Sequence, residues 1–179
     1  MIIETLNVAD FPLIYTIMEK SFPEDERRPY NEQEALLRNP LYRIYIVRES
    51  DEKSVQGFAA VWEFDKFAFI EHLAVEPSNR NKGIGARILE MLHCSIGKKL
   101  CLEVEPPKDE MSVRRIAFYK RNHFFFNDYE YFQPPISEGK NPVQLYIMTS
   151  ESEITEQEFL LIKSILYKKV YGVVQKDMD

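Results

Sequence analysis

The sequence predicts an α+β domain in which a mixed and largely antiparallel sheet is flanked by helices. Three observations predict this class. Short apolar runs with strand-like alternation recur along the chain, and segments with apolar residues at helical spacing lie between them. Three of the strand-like runs follow one another with only polar turns between them, which indicates an antiparallel meander. The length of 179 residues is that of a single domain with a core of its own.

Composition and charge argue against several classes of protein. The chain has 29 acidic and 23 basic residues, a formal net charge of −6, which disfavours a nucleic-acid binder and weakly favours a cationic or polar small partner. Neither a signal peptide nor an apolar run of about 18–20 residues is visible, so we expect a cytoplasmic protein with no membrane partner. Cys94 and Cys101 are expected to be reduced, mostly buried thiols. The three histidines are scattered and predict no metal site.

The N-terminal part is predicted to hold one strand and two helices. Residues Met1–Val8 are strand-like, and Asp10 is the candidate cap of a first helix that Pro23 ends. Asn31 and Glu34 have the spacing of a capping box, which places the start of a second helix at Asn31. The expected apolar face of the first helix consists of Leu13, Ile14, Ile17, Met18 and Phe22.

The middle of the chain is predicted to carry the meander, a helix and a further strand. The three runs of the meander are Leu41–Arg48, Val55–Phe64 and Phe67–Val75. The first turn between them is expected over Glu49–Lys53. A helix with one apolar face is expected from Gly83 to about Ile96, and a short strand over Leu100–Val104.

The following part of the chain predicts one helix and two strands. The strands are expected over Phe124–Phe132 and Val143–Met148. The helix is expected over Ser112–Asn122, and its buried side is expected to consist of Val113, Ile116 and Ala117.

The last part of the sequence predicts an additional helix. Thr155 and Glu158 have the spacing of a capping box, and Gly172 suits the end of the helix. The apolar stripe of this helix consists of Phe159, Ile162, Leu166 and Val170. Because such a stripe needs a partner surface, we expect residues 151–179 to be an extension that packs on the domain of residues 1–150 or on a second copy in a homodimer.

The segment from Leu73 to Ala86 is the part of the sequence that indicates chemistry. A strand leads through a polar loop into R-x-x-G-x-G, which runs from Arg80 to Gly85 at the start of a helix. Backbone N–H groups at a helix N-terminus bind anions, and glycines let a phosphate group approach the chain. Two alternatives stay open: a dinucleotide loop, although Ile88 stands where a third glycine is expected, and a helix that merely begins with glycines.

Residues Arg80–Gly85 resemble motif A, (Q/R)-x-x-G-x-(G/A), of the Gcn5-related N-acetyltransferase (GNAT) superfamily. The preceding residues Leu73-Ala74-Val75 are similar to the fourth strand of that family's fold. Residues 117–124 resemble motif B of that family, F-Y-x-x-x-G-F, with His123 in place of the glycine. The two motifs stand in the order of the family, and the resemblance extends from Met1 to about Met148. It implies a GNAT-like fold.

The resemblance implies direct transfer of an acetyl group from acetyl-CoA, bound together with the acceptor, to a primary amine of a small molecule or peptide. The alternative is a catalytically silent module that binds or senses acetyl-CoA. Arg27 and Arg28 lie in a segment that lines the acceptor cleft of the family, and they are candidates for binding an acceptor carboxylate, with solvated loop charge as the other interpretation. The implied cofactor-binding residues are Leu73, Ala74, Val75, Arg80, Asn81, Lys82, Gly83, Ile84, Gly85, Ala86, Ser112 and Tyr119.

Two side chains are the candidates for acid–base catalysis. Tyr119 matches the tyrosine of the family that donates to the leaving sulfur. Glu71 precedes Leu73 by two residues and shares its face in a regular strand, so it is the candidate base for the acceptor amine. His72 is the alternative base, although it faces the other way unless a β-bulge intervenes. A backbone N–H of the same strand is expected to stabilise the carbonyl oxyanion.

Overall fold

The computed structural model describes residues 1–49 and 54–173. The chain divides into two compact units: unit 1 comprises residues 1–23 and 29–102, and unit 2 comprises residues 24–28 and the chain from Glu103 onward. The described residues form seven strands and five α-helices. One strand pair is parallel and the other pairs described below are antiparallel, which confirms the α+β class with a mixed, mostly antiparallel sheet flanked by helices.

Unit 1 begins with a strand that is shorter than expected. Strand β1 spans Ile2–Thr5 and pairs antiparallel with β2. The expectation of a strand over Met1–Val8 is wrong, because Val8–Asp10 forms a 3₁₀ turn that the Asn7 side chain caps. Helix α1 spans Phe11–Ser21. Its buried residues are Phe11, Ile14, Tyr15, Ile17 and Met18, whereas Leu13 is exposed and Phe22 lies beyond the helix end.

Both predicted N-terminal caps of the first two helices are wrong. Among the described residues, the Asp10 carboxylate makes no capping bond and instead accepts a hydrogen bond from Arg48 at 2.9 Å. Helix α2 spans Tyr30–Ala35, and its N-cap is Pro29 rather than Asn31. Since a proline suits a helix start and lacks the N–H that needs satisfying there, this helix begins without the predicted capping box.

The meander of three antiparallel strands is confirmed. Strands β2, β3 and β4 span Tyr42–Arg48, Val55–Glu63 and Phe67–Val75. Residues 50–53 of the predicted turn lie outside the described residues. Strand β5, Lys99–Val104, pairs parallel with β4. The parallel pair requires a crossover connection, which the next helix supplies.

Helix α3 spans Ile84–Ile96 as expected and packs on β3 and β4. Ile84, Ile88 and Leu92 form its buried side. Gly57 on β3 makes this packing close: a Cβ there would lie 2.8 Å from the Ala74 carbonyl oxygen and 2.9 Å from Cδ1 of Ile88. Both distances are too short for a real side chain.

Replacing Gly57 by alanine is therefore expected to destabilise unit 1. Overpacking of this kind typically lowers the free energy of unfolding by about 1–3 kcal/mol, because the Ala74 carbonyl group of β4 and the Ile88 side chain of α3 both have to shift. Urea denaturation followed by circular dichroism measures the change. Cys94→Ala is the control, since Cys94 lies exposed on the same helix; a Gly57→Ala protein as stable as wild type would contradict the expectation.

Unit 2 contains two antiparallel strands and two helices, both of which pack on the first of these strands. Helix α4 spans Glu110–Arg121, and strands β6 and β7 span Phe124–Gln133 and Val143–Ser150. Helix α4 begins earlier than predicted because Asp109 caps it. Its predicted buried residue Val113 is exposed.

The C-terminal helix α5 spans Glu156–Lys169 and packs on β6. The capping box of Thr155 and Glu158 is confirmed. The apolar stripe is buried within unit 2, where Phe159 stacks on Tyr129 with ring centroids 4.7 Å apart. The boundary between a domain and an extension at residue 150, and a homodimer, stay predictions.

The two cysteines differ in their surroundings. Cys101 is buried as expected. Cys94 is exposed, so the expectation of a buried thiol is wrong for this residue. No helix within the described residues is both long and apolar enough to cross a membrane. No cluster of three or more His, Cys, Asp or Glu side chains suited to a metal ion occurs in the described part of the chain.

Candidate active site

The connection from β4 to α3 forms an open loop that ends in a helix N-terminus. Pro77–Asn79 is a 3₁₀ turn capped by the carboxylate of Glu76, which accepts hydrogen bonds from Ser78, and these bonds lower the pKa of Glu76. Gly83 is the N-cap of α3. Because glycine has no side chain with which to cap, the first N–H groups of α3 are left for solvent or a ligand, at the positive end of the helix dipole.

Two residues of this loop have left-handed backbone conformations. Asn81 has φ of 61° and Gly83 has φ of 79°. A Cβ built on Gly83 would meet no described atom within 4 Å, so the space beside this residue is open. Gly85, by contrast, lies in the first turn of α3. The two glycines of the motif therefore differ in position: Gly83 provides the turn, and Gly85 places no side chain at the second residue of the helix.

The loop carries exposed cationic side chains. The Arg80 guanidinium donates to the Val75 carbonyl at 3.3 Å, and the Lys82 ammonium donates to Asn79 at 3.1 Å. Both contacts bind the loop to itself at its surface. Positive charge beside a helix N-terminus favours an anion.

Strand β4 contains a β-bulge at Glu71. Ala60 on β3 faces His72, and the next residue, Val61, faces Ile70, so Glu71 is the extra residue. The Glu71 side chain is 2% exposed although the residue as a whole is half-exposed, so its accessible surface is mainly backbone. Bulges redirect side chains and are common beside active sites.

The bulge brings Glu71 and His72 together. A regular strand would place these neighbours on opposite faces, but Oε2 of Glu71 lies 3.5 Å from Nδ1 of His72, and both side chains are buried. The imidazole also packs against Phe22, with ring centroids 4.6 Å apart. The regular alternation on which the Glu71–Leu73 argument depended is therefore interrupted, and the catalytic role of Glu71 stays a prediction.

The pairing of β4 with β5 covers only the first part of β4. Its register runs from Phe67 opposite Lys99 to Ile70 opposite Leu102. Strand β4 then continues from the bulge to Val75. The residues predicted to bind the cofactor, Leu73, Ala74 and Val75, all lie in this continuing part.

In unit 2, Tyr119 lies on the buried side of α4. Its ring packs against Phe124 with centroids 5.8 Å apart. Burial raises the pKa of Tyr119 to about 12, and the positive charge of Arg115 opposes this only in part. His123, which replaces the glycine of motif B, has φ of 64°, the left-handed conformation that glycine adopts readily. The turn is therefore formed in spite of the substitution.

Ser112 has a structural role at the start of α4. Its backbone N–H and the Asp109 carboxylate form one half of a capping box, and the Asp109 N–H and the Ser112 hydroxyl form the other. The Ser112 hydroxyl also donates to the Asp109 carbonyl. Hydrogen bonds from Ser112 to the Asp109 carboxylate lower the pKa of that group. Contact of Ser112 with a cofactor stays a prediction.

The segment Glu24–Arg28 belongs to unit 2. Arg28 is 5% exposed and donates to the Val170 carbonyl at the end of α5, at 3.1 Å. Arg27 is partly exposed. The two arginines thus differ in their surroundings, and the binding of an acceptor carboxylate by either stays a prediction.

Glu26 is a residue of this segment that the sequence pattern did not single out. Burial raises its pKa, and the negative charge of Glu105 raises it further, while Arg115 acts in the opposite direction. Arg115 and Glu105 form an ion pair. The acidic run Glu24-Asp25-Glu26 was visible in the sequence, but its partial burial depends on contacts made after folding.

Known proteins resemble this chain in both sequence and structure. A family model described as an acetyltransferase (GNAT) domain matches residues 41–124. YjbC of Bacillus subtilis (strain 168), assigned by name to the acetyltransferases, is 32% identical over 114 residues, which are 62% of this chain. The match spans 55% of the length of YjbC.

Solved structures are similar over nearly the whole chain. A protein of Bacteroides thetaiotaomicron is assigned by name to the acetyltransferases of the GNAT family. It is 31% identical to this chain and has a TM-score of 0.89. The alignment covers 97% of this chain and 100% of that protein. Two further structures share the fold. The ribosomal-protein-S18-alanine N-acetyltransferase of Escherichia coli has a TM-score of 0.64 at 20% identity, with 87% of this chain and 96% of that chain covered. An aminoglycoside 6'-N-acetyltransferase complexed with coenzyme A has a TM-score of 0.59 at 18% identity, with 84% and 96% covered.

Proposed function

The chain belongs to the GNAT family of acetyltransferases, and we propose that it transfers the acetyl group of acetyl-CoA directly to a primary amine of a small molecule or peptide, in the cytoplasm. The observation that carries this proposal is the continuous sequence of a bulged strand, a cationic loop and a glycine-started helix. Acetyl-CoA supplies a thioester, which an unprotonated amine attacks.

The loop before α3 suits a pyrophosphate group. We propose that the backbone N–H groups of residues 81–86 bind it, with Arg80 and Lys82 adding positive charge. The open space beside Gly83 supports this assignment, because a phosphate group has to approach the backbone closely there. Leu73, Ala74 and Val75 lie where β4 has passed its pairing with β5, so their backbone is the proposed partner of the pantetheine arm.

The proposed chemistry assigns one role to each of three groups. Glu71 accepts the proton that the acceptor ammonium has to lose before it can attack. A backbone N–H of β4 donates to the acetyl carbonyl oxygen as negative charge develops on it. The Tyr119 hydroxyl donates to the departing sulfur. His72 lies close enough to Glu71 to orient its carboxylate.

The acceptor is to be identified by its chemistry. Release of free thiol from acetyl-CoA is measured with spermidine, with an aminoglycoside and with a peptide that has a free N-terminal alanine. Thiol release that depends on one of these amines supports the transferase. Tight binding of acetyl-CoA without amine-dependent release, on these and on a broader amine set, would favour a silent binding module.

Glu71→Gln is expected to lower kcat on the acceptor found in this screen by about 10²-fold, the lower end of what a general base contributes, because water can carry part of the proton away. The substitution preserves the size of the side chain and removes its negative charge together with its ability to accept a proton. Steady-state kinetics from pH 6 to pH 9 provide the measurement. The control is Glu90→Gln, a carboxamide substitution at an exposed position of α3. Turnover equal to wild type across this pH range would remove Glu71 from the mechanism.

A further inference from the structure

The end of helix α5 is joined to the segment between α1 and α2 by a buried hydrogen bond. Arg28 lies in that segment, and its guanidinium donates to the carbonyl oxygen of Val170, the C-cap of α5, at 3.1 Å. A cation at a helix C-terminus interacts favourably with the helix dipole. Because Arg28 is almost completely buried, its donor groups depend on protein partners rather than on water.

The next residue of the chain, Tyr171, is held independently. Its hydroxyl lies 2.9 and 2.8 Å from the two carboxylate oxygens of Glu103 on β5. The same carboxylate accepts a hydrogen bond from Tyr131 of β6 at 2.5 Å. Burial and the charge of Glu103 raise the pKa of Tyr131 well above its usual range, so this phenol stays a donor. Glu103 thus fixes the turn that follows α5.

The segment Glu24–Arg28 is held at a second point. The Asp25 carboxylate accepts hydrogen bonds from the backbone N–H of Asn141 at 3.0 Å and from its side-chain amide at 3.2 Å. These bonds lower the pKa of Asp25. The amide of Gln133 donates to the Asp25 carbonyl at 3.3 Å. Asp25 and Arg28 are therefore attachment points of the segment on either side of Glu26 and Arg27.

We propose that Val170 and Tyr171 are positioning residues for the segment Glu24–Arg28, and that they set the affinity for the acceptor amine through it. This inference rests on the proposed function and on the prediction that Arg27 and Arg28 bind the acceptor. The C-terminal helix α5 then carries a carbonyl group and a phenol to the positions that keep Arg28 in place. Binding of acetyl-CoA, which is assigned to the loop before α3, does not depend on this attachment.

Two variants test the attachment. Tyr171→Phe removes the hydroxyl that binds Glu103 and keeps the ring, and a chain that ends at Lys169 removes both Val170 and Tyr171. The controls are Tyr129→Phe, whose hydroxyl donates to Ile154 before the start of α5, and a chain that ends at Val173. Three quantities are measured for both variants and both controls. They are the rate of hydrogen–deuterium exchange over residues 24–28, the dissociation constant of acetyl-CoA, and the KM of the acceptor identified among the test amines.

In the chain that ends at Lys169, we expect amide exchange over residues 24–28 to become at least tenfold faster and the KM of the acceptor to rise at least tenfold. In Tyr171→Phe, we expect both quantities to change in the same direction by a smaller factor. kcat and the dissociation constant of acetyl-CoA should stay within twofold of wild type, as they should in both controls. Unchanged exchange in Tyr171→Phe and the shortened chain would overturn the attachment, and faster exchange with unchanged KM would overturn its role in acceptor binding. Wild-type protein that binds acetyl-CoA but acetylates no amine would contradict the proposed function instead.

Discussion

Gly83→Val is expected to weaken the binding of acetyl-CoA at least 100-fold while the protein stays folded. Gly83 has φ of 79°, a conformation in which a β-branched residue is a genuine outlier and which costs an L-residue about 1–2 kcal/mol. A Cβ at this position meets no described atom within 4 Å, so the substitution creates no clash inside the protein. Under the proposed assignment, the valine side chain would block the close approach of a phosphate group to the backbone. Isothermal titration calorimetry with acetyl-CoA measures the loss.

The matched control for this variant lies at the other end of the same helix. Gly97 is the C-cap of α3, has φ of 64°, and a Cβ there also meets no described atom within 4 Å. Gly97→Val therefore introduces similar backbone strain without altering the proposed phosphate site. We expect it to lower stability and leave the affinity for acetyl-CoA within about threefold of wild type. Wild-type affinity in Gly83→Val would refute the assignment of the pyrophosphate to this loop.

The features that local sequence determines were predicted well. The meander was correct because each of its strands has its own apolar pattern and polar ends. Helix α3 was correct because a 3.6-residue apolar period follows a glycine that can adopt positive φ. The capping box of Thr155 and Glu158 was correct because both of its partners lie within one turn of helix.

The features that depend on distant partners could not be predicted. Asp10 has the chemistry of a cap, but Arg48, which is 38 residues away, binds its carboxylate. The bulge at Glu71 depends on the register between β3 and β4, and the sequence of β4 alone predicts regular alternation. Arg28 is polar and lies in a charged segment, yet it is buried because its partner is a carbonyl group 142 residues away. Within the candidate site, the sequence therefore predicted the loop and the start of α3 better than the surroundings of Glu71.

Tyr119 is the residue for which the structure changes the expected mechanism most. A tyrosine with an ordinary pKa near 10 could transfer its proton to a thiolate of pKa about 8.5 at modest cost. Burial raises the pKa of Tyr119 to about 12, so complete transfer would cost about 5 kcal/mol at 1.36 kcal/mol for each pKa unit. We therefore expect Tyr119 to stabilise the departing thiolate by donating a hydrogen bond, and the thiolate then takes its proton from solvent water.

Tyr119→Phe tests this role. The variant keeps the ring that packs against Phe124 and loses only the hydroxyl, so kcat should fall by about 10²–10³-fold, the usual contribution of one hydrogen-bond donor to developing negative charge. The dissociation constant of acetyl-CoA should change less than threefold. Tyr146→Phe is the control, because Tyr146 lies on β7 and its ring contacts Phe126 rather than α4. Turnover of Tyr119→Phe at the wild-type rate would exclude the hydroxyl from catalysis.

The pH dependence provides a second test of the same residue. Because the pKa of Tyr119 is raised, its hydroxyl keeps its proton throughout the range from pH 7 to pH 10, and no loss of kcat in this range should come from its ionisation. A basic limb with a pKa near 10 that is present in wild type and disappears in Tyr119→Phe would show that the phenol ionises in the functional complex. That outcome would mean that bound substrates restore an ordinary pKa to Tyr119, and proton transfer to the sulfur would then replace hydrogen-bond donation as its role.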